Sequence, residues 1–383
     1  MSGQVESSRA EGRASGAAAG QEDERAAGTG GADVRDRPGR RRSFGTDLRD
    51  AVTGRAVALV LGVLALQLGF VASYLGALHA PSPHRIDLAV VAPGGAATPM
   101  AQQVAQQLGA LPGDPLAPRV AADEAAARRL IDDRQVYGAL LVAPTGAQDR
   151  LLVAGAEGSA VADALSAVVT RAEQAQGRTV QVTDVHPVFS GDARGLSPFY
   201  LVVGWTVGGY LVASILGISA GARPATQRRA VVRLASLALY AVVSGVAGAL
   251  IADLVLGALD ANLLALSAFG ALLVFAVGAA TMAFQVLGGT AGIGIAILLF
   301  VVLGNPSAGG AYPSPLLPAF WRAIGPWLPP GAGTDAVRGI AYFDGVGVRA
   351  PALLLAGYAV VGALATLLGA GVRQGRRRAG AAG

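Results

Sequence analysis

Residues 56–78 read AVALVLGVLALQLGFVASYLGAL, without one charged side chain. A helix rises about 1.5 Å per residue, so about 20 apolar residues cross the ~30 Å hydrocarbon core of a bilayer. This stretch is therefore a transmembrane helix, and the rest of the chain is organised around it. Upstream, residues 44–55 place Phe44, Leu48 and Val52 among Asp and Arg. That pattern predicts an amphipathic helix lying on the inner membrane surface. Residues 1–43 are rich in Gly, Ala, Ser, Glu and Arg with almost no large apolar side chain, and are expected to be a disordered cytoplasmic tail. Arg41-Arg42-Ser43-Phe44 has a twin-arginine look, but the apolar run starts more than ten residues later and is too long for a signal core.

Downstream the composition changes abruptly. Residues 80–195 mix charged, apolar and turn residues like a water-facing domain. Strands are predicted at Ile86–Ala92, ended by Pro93-Gly94-Gly95, and at Val136–Ala143, Arg150–Val153 and Thr179–Val185. Helices are predicted at Thr98–Leu111, Asp123–Asp133 and Ser159–Gln176. Interleaved strands and helices argue for an α/β or α+β domain. Five further spans follow at 198–220, 234–258, 262–285, 288–304 and 350–371, with an irregular Pro/Gly/aromatic segment at 305–349 and a tail at 372–383. No charge occurs between Ala261 and Trp321, a block long enough for two spans broken near Gln285–Thr290.

Arginine sets the orientation. Arg35, Arg37, Arg40, Arg41, Arg42, Arg49 and Arg55 precede the first span, Arg223, Arg228, Arg229 and Arg233 lie between the second and third, and Arg373 and Arg376–Arg378 follow the sixth. With six spans all three clusters fall on one side, which the positive-inside rule makes cytoplasmic. The expected fold is thus an α-helical integral membrane protein of the cell membrane. It has six transmembrane helices, cytoplasmic termini, and an extracytoplasmic α/β domain inserted between helices 1 and 2.

Composition narrows the chemistry. The 383 residues are 53% hydrophobic and 14% charged, and all 30 basic residues are arginine. Without lysine there is no Walker A phosphate loop and no Schiff-base catalysis. Without cysteine there is no disulfide, thiolate nucleophile or Cys-ligated metal. The net charge of +5 sits beside the spans, as orientation signals do, and does not indicate nucleic acid. His79, His84 and His186 lack metal-ligand spacing and are expected to be structural. Asp253, near the outer end of the third span, is either an intramembrane functional acid or an interfacial residue. Gly288-Gly289-Thr290-Ala291-Gly292-Ile293-Gly294 follows no soluble strand and is read as a tight turn or close helix contact. No catalytic triad, elbow or carboxylate pair is present, so no enzyme, cofactor or metal site is expected.

The 305–349 segment is too proline-rich for a regular span. It is either an ordinary outer loop or two amphipathic pieces, around Phe320–Trp327 and Thr334–Phe343, dipping into the outer leaflet.

Three features carry a resemblance. They are the strand at Ile86–Ala92 just after the first span, Tyr137-Gly138-Ala139-Leu140-Leu141-Val142-Ala143-Pro144 with Arg150–Gly155 after it, and a motif before the last span. In that motif Gly309, Gly310 and Pro313 are followed by Leu317, Pro318, Phe320 and Trp321, then Leu328 and Pro329. Over about 50–375 the chain resembles the ABC-2 type permeases with a large external domain, in particular the phage infection protein (YhgE/Pip-like) branch. The resemblance implies a permease subunit working as a homodimer or heterodimer and powered by a separate ATPase. Its docking loop would carry Arg223, Arg228, Arg229 and Arg233. The loop 221–233 is short for such an element, and the external domain is smaller than in the longest members. Two functions stand at this point. One is an exporter of a hydrophobic or amphipathic substrate, with a cavity along the spans. The other is a non-transporting envelope receptor or scaffold, with tight spans.

Overall fold

In a computed structural model, residues 53–92, 99–219, 221 and 223–382 are described. The expectations for 1–43, most of 44–55 and the Pro93-Gly94-Gly95 turn lie outside these residues. In chain order come α1 (Gly54–Leu78), β1 (Ile86–Val91), α2 (Pro99–Gly109), β2 (Leu116–Val120), α3 (Glu124–Asp132), β3 (Gly138–Leu141), β4 (Gln148–Val153), α4 (Ser159–Gln174) and β5 (Thr179–Asp184). They are followed by α5 (Ser197–Ser219), α6 (Gln227–Leu250), α7 (Leu263–Gly288), α8 (Ala291–Ile297), α9 (Ala319–Ile324), α10 (Pro329–Tyr342) and α11 (Arg349–Ala382).

The strands form one mixed sheet in the order β2-β1-β3-β4-β5. Only the β3–β4 pair is antiparallel. On one face Ile86, Leu88, Val90, Leu140, Leu151 and Val153 pack under Leu108 of α2 and Leu165 and Val169 of α4. On the other, Ala89, Ala139, Leu141 and Leu152 meet Ala127 and Ile131 of α3. Asp123 caps α3 by accepting from the Ala126 N–H at 2.6 Å. β2 has no counterpart in the sequence reading. Pro118 and Arg119 break its apolar alternation, which an edge strand tolerates because its outer side needs no ladder bond. The sheet is not self-contained either. Leu316 and Tyr312, from far along the chain, complete its first core, and His84 N–H donates to Pro315 O at 2.9 Å.

Five helices are long and apolar enough to cross a membrane, compatible with a multi-pass membrane protein: Ala56–Leu78, Ser197–Ser219, Gln227–Val255, Leu263–Gly288 and Arg349–Arg376. α7 is the central one, packed on α5, α6 and α11. Small residues permit the closeness. Gly248 and Gly270 flank the Trp205 indole so tightly that a Cβ on either would come within 2.4 Å of it. The indole N–H in turn donates to Ser244 O at 3.0 Å.

The fifth expected span, 288–304, is not among the five membrane-length helices. Ala291–Leu303 is a shorter apolar helix, seven α-helical residues running into a six-residue π segment. Asn305-Pro306 follows at once, and the residue before a proline is biased away from helix. The short helix nevertheless joins the two ends of the bundle. It starts beside Arg223, the neighbour of Gly289, and finishes where Ser73 Oγ donates to Val302 O and Gly304 abuts Pro330. α6 begins at Gln227 rather than 234 and ends in a π turn, Ile251–Val255. α11 continues beyond the expected span into the 372–383 tail, to Ala382, through the helix-favouring Arg and Ala residues. Within 305–349, α10 is a regular helix. Of its residues Pro329–Ala341 all are buried except Asp335, so Thr334–Phe343 packs into protein and not onto a leaflet. Backbone polarity at such depth is tolerated where protein covers it.

Candidate functional site

The sheet region and the helices meet at an arginine. Arg134 follows α3 in a left-handed turn, φ +57°. Its Nε and Nη2 donate to the two Glu157 carboxylate oxygens at 2.6 and 3.1 Å. Nη2 also reaches Asp335 Oδ1 at 2.6 Å, and Nη1 reaches the carbonyls of Asp335 and Val346 at 3.2 Å. The guanidinium carbon lies 5.2 Å from the centre of the Phe343 ring. Burial pushes the Arg134 pKa down, but Glu157 and Asp335 outweigh it and hold it above the ordinary arginine value. Breaking such a buried pair by removing one partner costs about 3–5 kcal/mol, because the other charge stays buried.

Beside this clamp is a cavity of about 470 Å³. Its polar wall carries Tyr137, Glu157, Asp335 and Arg338, and its apolar wall carries Pro313, Trp327, Pro351 and Leu354. Ala350, Pro351 and Leu354 are the opening turns of α11, so the space reaches from the sheet region onto a membrane-length helix. Arg338 is only 5% exposed. It donates to Gly309 O at 2.8 Å and Gly310 O at 3.2 Å, while its Nε has no partner among the described residues. Burial, which Arg134 reinforces, lowers its pKa, and Glu157 opposes this. Burial likewise raises the Tyr137 phenol. Arginine stays charged in proteins, so Arg338 is a fixed cation in the polar wall of the cavity. The chemistry on offer is binding of an acceptor-bearing or anionic amphiphile.

The motif residues hold this site. Gly309 (φ +71°) turns its carbonyl to Arg338, and a Cβ on Gly310 would lie 2.3 Å from the Phe199 ring. Pro313 packs on Gly158 of the sheet region. Leu317 and Trp321 pack with Ala77 of α1. Pro318 and Leu328 immediately precede α9 and α10, Pro329 occupies the first position of α10, and Phe320 is 56% exposed.

The four loop arginines divide. Arg223 donates to Leu287 O at 3.0 Å and Arg233 to Gly221 O at 2.7 Å. Arg228 and Arg229 are exposed in the first turn of α6. Arg373 donates to Val286 O, so Arg223 and Arg373 together cap the C-terminal carbonyls of α7. Asp253 lies half-buried in the π turn where α6 ends, its carbonyl accepting from Gly257 N–H at 2.9 Å. Gly289 (φ +63°) makes the turn between α7 and α8. His186 Nε2 lies 2.8 Å from Asp132 Oδ1. Among the described residues no three His, Cys, Asp or Glu side chains gather as metal ligands.

Sequence reasoning missed Arg134, Tyr137, Glu157 and Arg338 as site residues. The available signal was Asp335 and Arg338, two charges set in an otherwise small and apolar stretch from Pro329 to Ala341. No family model, curated protein or solved structure matches the chain.

Proposed function

We propose that this chain is the membrane-embedded permease subunit of an ABC-2 type exporter. It handles a hydrophobic or amphipathic substrate at the junction of its sheet region and its spans, with a separate ATPase as the energy source. One observation carries the reading: the cavity of about 470 Å³ whose walls pair a buried, incompletely satisfied Arg338 with Trp327 and the first turns of α11. Pockets of a few hundred Å³, mostly apolar with a few fixed polar groups, are how small amphiphiles are bound. The meeting of Arg223, Arg233 and Arg373 at the end of the bundle remote from the sheet supports cytoplasmic termini in the plasma membrane and an extracytoplasmic sheet region. The assembly in this reading is a dimer.

A second reading, an envelope receptor or scaffold, is favoured by the tight bundle. The gap among Ala213, Met282, Gln285 and Thr366 is too small for water. Co-purification from native membranes separates the two. The exporter reading expects an ATPase chain whose turnover responds to substrate and loses that response in Arg338→Gln. A full complement of purified protein with no ATPase chain favours the scaffold. Orientation is tested on this cysteine-free chain with Gln181→Cys on exposed β5. Labelling only after cell lysis would place the sheet region inside.

A further inference from the structure

A second and larger space adjoins the sheet region. It is a groove of about 1020 Å³ between α4, the turns at 82–84 and 111–115, and the start of α9. Its floor is apolar: Leu111, Ala164, Val168, Ala172, Leu317 and Pro318. The polar side chains along it are Ser82, His84, Arg171 and Arg322, and among the described residues no carboxylate lines it. Asp114 is nearby but pairs with Arg85 at 3.6 Å. Arg171 is exposed, and Arg322 makes one bond, to Leu317 O at 3.2 Å.

Its place in the fold names the occupant. Leu317, in the groove wall, packs with Ala77 and Leu78 in the last turn of α1. Only 6% of the apolar window of α1 is buried in protein, and Leu75 on its final turns is 62% exposed. The groove therefore begins where a lipid-facing helix surface stops. An acyl chain lying against α1 continues into it without crossing water, and Arg171 and Arg322 meet whatever headgroup follows. Arginines near an anionic lipid surface are attracted to its headgroups by about 1 kcal/mol each.

We infer that this groove is a binding site for an anionic lipid drawn from the surrounding bilayer, with Arg171 and Arg322 on the headgroup and the α4–Leu317 floor on the chain. The inference rests on membrane embedding of α1 and not on export. Lipid binding with no ATPase response would leave it standing while removing the exporter reading.

The test is native mass spectrometry of the full-length protein released from nanodiscs, with phosphatidylglycerol and phosphatidylcholine compared. The expected result is retention of phosphatidylglycerol over phosphatidylcholine, and a loss of about thirtyfold in that preference for Arg171→Gln/Arg322→Gln. Should the Arg322 change disturb α9, Arg171→Gln alone, at an exposed position, is expected to lose about fivefold. Ala167→Trp, also exposed, fills the groove and is expected to lower lipid retention with both arginines intact. Equal retention of the two lipids overturns the inference. So does an undiminished preference in the Arg171→Gln protein, or full competition by inorganic phosphate, which would mark a soluble-anion site.

Discussion

Arginines answer main-chain carbonyls at both ends of the helical bundle, and the described ion pairs of Arg134 are at one end. At the sheet end, Arg134 lies between two carboxylates, Glu157 and Asp335, and ties a loop of the sheet region to α10. At the other end Arg223, Arg233 and Arg373 answer main-chain carbonyls. Each end also keeps one buried guanidinium nitrogen without a partner among the described residues, Arg338 Nε and Arg373 Nη1. The difference lies in what is lost on removal. A carboxylate left behind in a buried site is a stranded charge, whereas a helix-end carbonyl left behind can turn to water. Arginine number therefore says little about an end of this molecule, and partner type says much.

That contrast predicts the largest effect at Arg134. Arg134→Met strands Glu157, which is 8% exposed, and is expected to destabilise the protein by about 3–5 kcal/mol. Thermal unfolding in detergent measures it. Adding Glu157→Gln should recover much of the loss. A double variant as unstable as the sum of the two singles breaks the stranded-charge account.

At the opposite end, Arg373→Gln removes a charge-assisted cap from Val286 O and is expected to cost about 1 kcal/mol, well below the Arg134 loss. Arg223 still caps Leu287 O next to it. An equal loss at the two positions would erase the comparison.

How much was legible follows the same division. Periodicity and charge-free length located α1, α5, α7 and the main strands, since local pattern suffices for elements that bury a face or meet lipid. β2 was hidden by Pro118 and Arg119. The later start of Ala291–Leu303 was hidden because residues 288–290 are as uncharged as the helix that follows, while Gly289 makes the turn there. The arginine clamp was not legible at all. Arg134 and Asp335 are 201 positions apart, and each looks like an ordinary solvated charge until the fold brings them together. The glycines and prolines of the 309–329 motif were legible as a motif, but their work, presenting two carbonyls to Arg338, depended on a residue outside it.

Arg178 offers a third, milder case within the sheet region. It pairs with the fully buried Asp149 while Glu173 sits alongside. Burial raises Asp149, but hydrogen bonds from Arg178 and the Ala143 N–H bring it below its ordinary value. Glu173 is raised, by burial and then by Asp149. The signs are opposite. Asp149 contributes stability above its unfolded pKa and loses it as pH falls through its lowered folded value. Glu173 contributes stability below its unfolded pKa and loses it as pH rises through its raised folded value. Glu173→Gln should therefore raise the thermal midpoint by a few degrees at neutral pH and flatten the decline above the carboxylate range. An unchanged pH profile would show that Glu173 does not titrate differently on folding.

The smallest expected effect on stability is at Arg228 and Arg229, and it bears most on function. Both are exposed in the first turn of α6, behind the Thr226 cap, which accepts from Arg229 N–H at 3.3 Å. Cations at a helix N-terminus oppose the macrodipole, so helix stability does not account for them. Either they hold the orientation of the chain or they face a partner. Arg223, Arg233 and Arg373 remain at the same end, so Arg228→Gln/Arg229→Gln should insert normally and change stability by no more than about 0.5 kcal/mol. If an ATPase docks there, its co-purification should fall steeply and become less salt-sensitive, since charged contacts at an interface set association and its screening. Retention of the ATPase at the wild-type level, with the same salt dependence, assigns these two arginines to orientation alone. That outcome leaves the end of the bundle with capping arginines only, and it removes the one surface through which the exporter reading expects force to enter.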